Sequence, residues 1–157
     1  MNAEQLEASH RHHSASFFHR CWTLLDQADR SAADEVEMEA AAWASLAHWQ
    51  ARTDVTPRNL SIAHWLLSRV FATLGRGEAS AQHAALSLGA AGAEAPFFVG
   101  YAWEAVARAA VVQGRAEAAE EALGCARESL AEVDDEDSAT LLRRDLKAVE
   151  ELLRPMR

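Results

Sequence analysis

Apolar positions recur at spacings of three and four residues along almost the whole chain, the mark of amphipathic helices. From about 5 to 29 the stripe is Leu6, Phe17, Phe18, Cys21, Leu24, Leu25 and Ala28. Asp34, three residues before Glu37, has the spacing of a capping box. The helix that follows, about 35–52, turns Val36, Ala40, Trp43, Ala44, Ala47 and Ala51 inward, while Met38, Leu46 and Trp49 make it apolar on more than one face. Thr56-Pro57 supplies a cap and a first-turn proline for a third helix, which reaches about Leu74 through Leu60, Ala63, Leu67, Val70 and Phe71.

Gly75-Arg76-Gly77 breaks that helix, and an alanine-rich one covers roughly 78–90. Pro96 opens a fifth, about 96–113, whose Phe97, Phe98, Tyr101, Ala102, Ala105, Val106, Ala109 and Val112 leave little polar surface and predict a central position. Gly114 precedes a sixth helix, about 116–131. The acidic run from Asp134 to Asp137 precedes a seventh, about 138–153, with Leu142, Leu146, Val149 and Leu153 in register. The short connections predict antiparallel hairpins within one domain spanning 1–157.

Composition agrees with an all-α fold. Alanine accounts for 35 of the 157 residues, which favours closely packed helices over sheet. The net charge of -9 argues against a general nucleic-acid binder, because an acidic surface repels phosphate backbones. No apolar stretch reaches membrane-spanning length and no basic run leads into an apolar one, so the expected setting is the cytoplasm, with no membrane partner. Cys21 and Cys125 make no disulfide framework.

Two segments repeat. Leu74-Gly75-Arg76-Gly77-Glu78-Ala79 and Gln113-Gly114-Arg115-Ala116-Glu117-Ala118 lie 39 residues apart, each between a hydrophobic helix and an alanine-rich one. Trp103, Val106, Ala107, Ala110, Gly114, Ala119, Leu123 and Ala126 form the clearest unit. His64, Leu67, Ser68, Phe71, Gly75 and Ala84 form a second, in which Ser80 and Ser87 stand where alanine is usual. In these positions the chain resembles the tetratricopeptide repeat family, whose units are about 34 residues long. The longer spacing then places an insertion at Gly89–Ala95. Phe18, Trp22 and Ala41 align an N-terminal pair, about 13–45.

The resemblance implies three hairpins stacked as a right-handed superhelix, with the seventh helix capping the exposed end. The first helix of each hairpin would line a concave groove. That assigns Ile62, Trp65 and Arg69, then Tyr101, Glu104 and Arg108, to a partner-binding surface, with Ala72 and Val111 beside them and His19, Thr23 and Asp26 from the first hairpin. The alternative is a compact bundle in which several of these are core. Trp65 and Arg69, one turn apart, would offer a flat apolar face and a fork for a carboxylate.

No complete catalytic constellation is present: there is no His-Glu-x-x-His, Cys-x-x-Cys, Gly-x-Ser-x-Gly or phosphate loop. Cys21 reads as a buried thiol. His10-Arg11-His12-His13 reads as exposed polar residues in a frayed first turn. The expected function is therefore a protein- or peptide-binding scaffold with no cofactor, its partner a peptide, another protein or a second copy of the chain. One alternative is a helical-bundle enzyme whose divalent metal is held by His10, His13, His48, His64 and His83. Another is a regulatory or sensor domain acting indirectly in transcription.

Overall fold

The computed structural model describes residues 2–156, so the outermost two positions of the expected 1–157 domain lie outside it. It contains α1 (Ala3–Leu25), α2 (Ala32–Gln50), α3 (Pro57–Thr73), α4 (Gly77–Ala91), α5 (Pro96–Val112), α6 (Ala116–Ala131) and α7 (Glu136–Leu153). A single 3-10 turn, Arg154–Met156, follows, and the described residues include no strand. None of these helices is long and apolar enough to cross a membrane.

Local chemistry sets the helix starts. Asn2 with Gln5, Ser31 with Asp34, and Thr56 with Asn59 each form a reciprocal capping box, satisfying amides that have no partner inside the helix. The box at α2 thus lies one turn earlier than the expected Asp34–Glu37, with Asp34 as its second member. Asp135 caps α7 by accepting from the Ser138 amide at 2.8 Å. α1 stops at Leu25 rather than Asp29 because Arg30 folds back over its end. The Arg30 Nη1 donates to the carbonyls of Leu24, Leu25 and Gln27. The run His10–His13 lies in the body of α1, not in a frayed first turn.

Helices α1 and α2, α3 and α4, and α5 and α6 pack as hairpins. The odd-numbered helices also meet in succession, α1 on α3, α3 on α5 and α5 on α7, while α7 closes against α6. Two main cores result. Cys21, Leu24, Met38, Leu46, Leu66, Leu67 and Phe71 join α1, α2 and α3; Ala107, Leu123, Leu142, Leu146 and Val149 are among those joining α5, α6 and α7. Between them lies a narrow alanine seam of Ala84, Ala105 and Ala109, where α4 and α5 come together.

The buried face of α2 differs from the expected one. Met38, Ala41, Ala42, Ser45 and Leu46 point inward, whereas Val36 is 70% and Trp43 43% exposed. The alanines on the rejected stripe bury too little area to decide the facing. The single Met38, Leu46 and Trp49 side chains remove more from water and set it.

The repeated turns are the same structure twice. Gly75 and Gly114 have φ of +70° and +73°. Arg76 donates its amide to Phe71 O at 2.8 Å, and Arg115 donates to Ala110 O at 2.9 Å. Gly75 and Gly114 donate to Ala72 O and Val111 O. This is the Schellman pattern, which needs a left-handed residue where the helix stops.

Serines hold α3 and α4 at close range. Ser61 and Ser87 each donate to the other's backbone carbonyl at 2.9 Å, and Ser80 donates to Ser68 O at 2.9 Å. In the first hairpin Ser45 donates to Ser14 O at 2.8 Å. At Gly100 the α5 backbone meets α7 directly: a Cβ there would lie 2.5 Å from Leu142 Cδ2.

Candidate functional site

The odd-numbered helices enclose a half-open cavity of about 360 Å³. α1 contributes Phe18 and Trp22; α3 contributes Ser61, Ile62 and Trp65; α5 contributes Phe97, Phe98, Tyr101 and Ala102; and α7 contributes Leu141, Arg144 and Asp145. Ser87 of α4 lies at its base. The wall is aromatic because α1, α3 and α5 place rings where they meet one another. Trp22 and Trp65 centroids are 5.4 Å apart, Trp65 and Tyr101 meet edge to face at 5.1 Å, and Phe97 and Tyr101 do so at 5.0 Å. Such tilted and edge-on contacts suit the ring quadrupoles.

Behind the wall sits a buried ion network. Glu104 has no exposed surface. Its Oε2 accepts from Trp65 Nε1 at 3.1 Å, and its Oε1 accepts from Arg69 Nη1 at 3.0 Å and from Arg108 Nε at 2.8 Å. Arg108 Nη2 lies 2.6 Å from the same oxygen. Its direction gives an ion pair without a hydrogen bond, so this nitrogen remains a buried donor. Two guanidinium groups therefore share one carboxylate. Burial pulls the Arg69 guanidinium below its ordinary pKa, against the opposing pull of Glu104.

A second polar link fastens α5 to α7. The Tyr101 hydroxyl donates to Asp145 Oδ2 at 3.1 Å, and Arg144 Nε donates to Asp145 Oδ1 at 3.2 Å. Burial and the neighbouring Asp145 carboxylate push the Tyr101 phenol well above its usual range, keeping it a donor.

Of the six groove positions expected from sequence, Ile62, Trp65 and Tyr101 line the cavity, while Arg69, Glu104 and Arg108 form the network behind it. The fork of Trp65 and Arg69 does hold a carboxylate, but that carboxylate is the protein's own Glu104. In the first hairpin His19, Thr23 and Asp26 are exposed, and the cavity takes Phe18 and Trp22 instead. The α7 contribution was missed, since that helix was expected only as a cap. Its available signal is Asp145, a carboxylate on the apolar stripe that runs through Leu142, Leu146 and Val149.

The five candidate metal ligands fall into two groups. His10 and His48 approach with their Nδ1 atoms 2.9 Å apart, and the His13 ring lies 5.1 Å from that of His48. On the next hairpin His64 and His83 have their Nδ1 atoms 3.0 Å apart, and the His83 ring also meets those of Trp43 and Phe71. One imidazole of each close pair donates and the other accepts, so each pair contains a neutral ring. Among the described residues no set of three or more His, Cys, Asp and Glu side chains is disposed to hold a metal ion, and the five histidines do not converge on one centre.

Cys21 has no exposed surface, and burial pushes its thiol up to about 12. A thiol held protonated in this way is a poor nucleophile. No protein-family model matches the chain, and no curated protein or solved structure matches it significantly.

Proposed function

We propose that this protein is a tetratricopeptide-repeat-like peptide-binding module of the cytoplasm, its hairpins stacked as a right-handed superhelix capped by α7, with the cavity across α1, α3, α5 and α7 as its docking site. The observation that carries the reading is the cavity itself: α1, α3 and α5 supply its aromatic wall, and α7 closes it with Leu141, Arg144 and Asp145. Such a wall offers large apolar area with little side-chain freedom to lose, the usual make-up of an anchoring pocket. The twin Schellman turns 39 residues apart and the succession of odd-helix contacts support the repeat-like arrangement.

Selection of a random peptide library on the immobilised full chain tests this. Peptides recovered should lose binding to the Ile62→Trp variant, which fills the cavity, and keep it for Val36→Ser, a change on the 70% exposed Val36 of α2. Failure to recover any peptide, or recovery of peptides indifferent to Ile62→Trp, overturns the reading.

A further inference from the structure

Most polar groups of the cavity wall are already committed to one another, and its one guanidinium, Arg144, is paired with Asp145. Ser61 and Ser87 satisfy each other through their hydroxyls and carbonyls. The Trp65 indole N–H is given to Glu104, and the Tyr101 hydroxyl to Asp145. Asp145 also holds Arg144, whose side chain is 69% exposed and sits at the rim. A charged group entering the cavity would shed water and find these partners taken, which is costly. An apolar ring would meet the faces and edges of Phe18, Trp22, Phe97 and Phe98.

The arginines do not change this balance. Arg144, the one that lines the cavity, is paired with Asp145, so the two charges of the wall cancel, while Arg69 and Arg108 lie outside the wall and are both drawn to Glu104 Oε1. Glu104 thus occupies, from inside the protein, the place where an acidic partner would put its carboxylate. Displacing it would leave a buried anion without its counter-charges.

Resting on the peptide-binding reading, we infer that the docked segment is uncharged and is anchored by one aromatic side chain inserted between α1 and α5, rather than by an acidic group or a free C-terminal carboxylate.

The test takes peptides recovered from the library and measures their affinity for the full chain by isothermal titration. Replacing the aromatic anchor by alanine should weaken binding at least about tenfold, as for a hot-spot side chain. Amidating the C-terminus, or raising salt from about 50 to about 500 mM, should change it less than about twofold, because little charge is engaged. Ala102→Phe, checked for folding by circular dichroism, should abolish binding, with Ile62→Trp as the second cavity-filling variant if Ala102→Phe does not fold. Peptides that require an acidic residue or a free carboxylate, or that weaken steeply with salt, would overturn this inference and leave the binding reading standing. Recovery of no peptide at all overturns both.

Discussion

Ser61 and Ser87 trade hydrogen bonds across α3 and α4, each hydroxyl donating at 2.9 Å to the carbonyl of the other residue. Both are essentially without exposed surface. Small residues let the two backbones approach, and the hydroxyls then reach carbonyls that already serve their own helices. Ser61→Ala or Ser87→Ala should each cost about 1 kcal/mol, the net worth of an ordinary hydrogen bond. Ser87→Leu should cost about 1–3 kcal/mol or more by forcing the helices apart. Urea denaturation of the three variants checks the order.

Glu104 is the sole carboxylate between Arg69 and Arg108 in the buried network. Glu104→Gln keeps the shape and an oxygen for Trp65 but removes the carboxylate that Arg69 and Arg108 share. Removing one partner of a buried ion cluster costs about 3–5 kcal/mol, so the variant should unfold at much lower urea. Adding Arg108→Met should recover part of that loss, and the recovery separates charge imbalance from lost packing.

The His64–His83 pair makes stability depend on pH. His83 is 5% exposed, and burial together with His64 lowers its pKa to about 4; burial also lowers that of His64. In the unfolded chain a histidine takes its proton near 6.5, so on acidification the unfolded state binds it first. The stability contributed by neutral His83 is therefore present above pH 6.5 and is lost as pH falls from there toward 4. By linkage this removes about 2 kcal/mol between pH 7.5 and 5. His83→Gln should flatten the slope over that window in urea titrations at each pH.

Gly114 sits at φ +73° with open space where a side chain would go, so any cost of substitution comes from the backbone alone. Gly114→Ala should lose about 1–2 kcal/mol, the penalty for an L-residue in the left-handed region, Gly114→Asn less, and Gly114→Val more. Thermal melts should give the same order at Gly75, which makes the matching turn.

Much of this architecture could be read from the chain because its signals are local. Thr56-Pro57 and Pro96 mark helix starts through the fixed proline φ, and the two Gly-Arg turns mark stops that only glycine adopts cheaply. The facing of α2 could not be read this way, since a helix apolar on more than one face turns according to what it meets, and Trp43 ended at its edge, half exposed, against Phe71 and His83. The site was half legible. Ile62 and Trp65 share a face of α3 by spacing, and the repeat resemblance set Tyr101 of α5 beside them. That Glu104 would complete the fork of Trp65 and Arg69 depends on α3 and α5 lying side by side, which no local spacing encodes. Asp145 was the one cue to α7, visible only as a carboxylate out of place on an apolar stripe.

Gly100 gives the groove an adjustment screw on its far side. Because α5 has no side chain there, Leu142 seats α7 against it, and α7 in turn carries Leu141, Arg144 and Asp145 into the cavity. The width of the opening is thus set by a residue that never faces its contents. A single added methyl at position 100 would press on Leu142 of α7, approach Ser129 of α6, and shift the jaw that α7 forms. In the proposed docking, selectivity for the size of an anchoring ring can therefore be retuned from behind the site, through a residue that does not line the cavity.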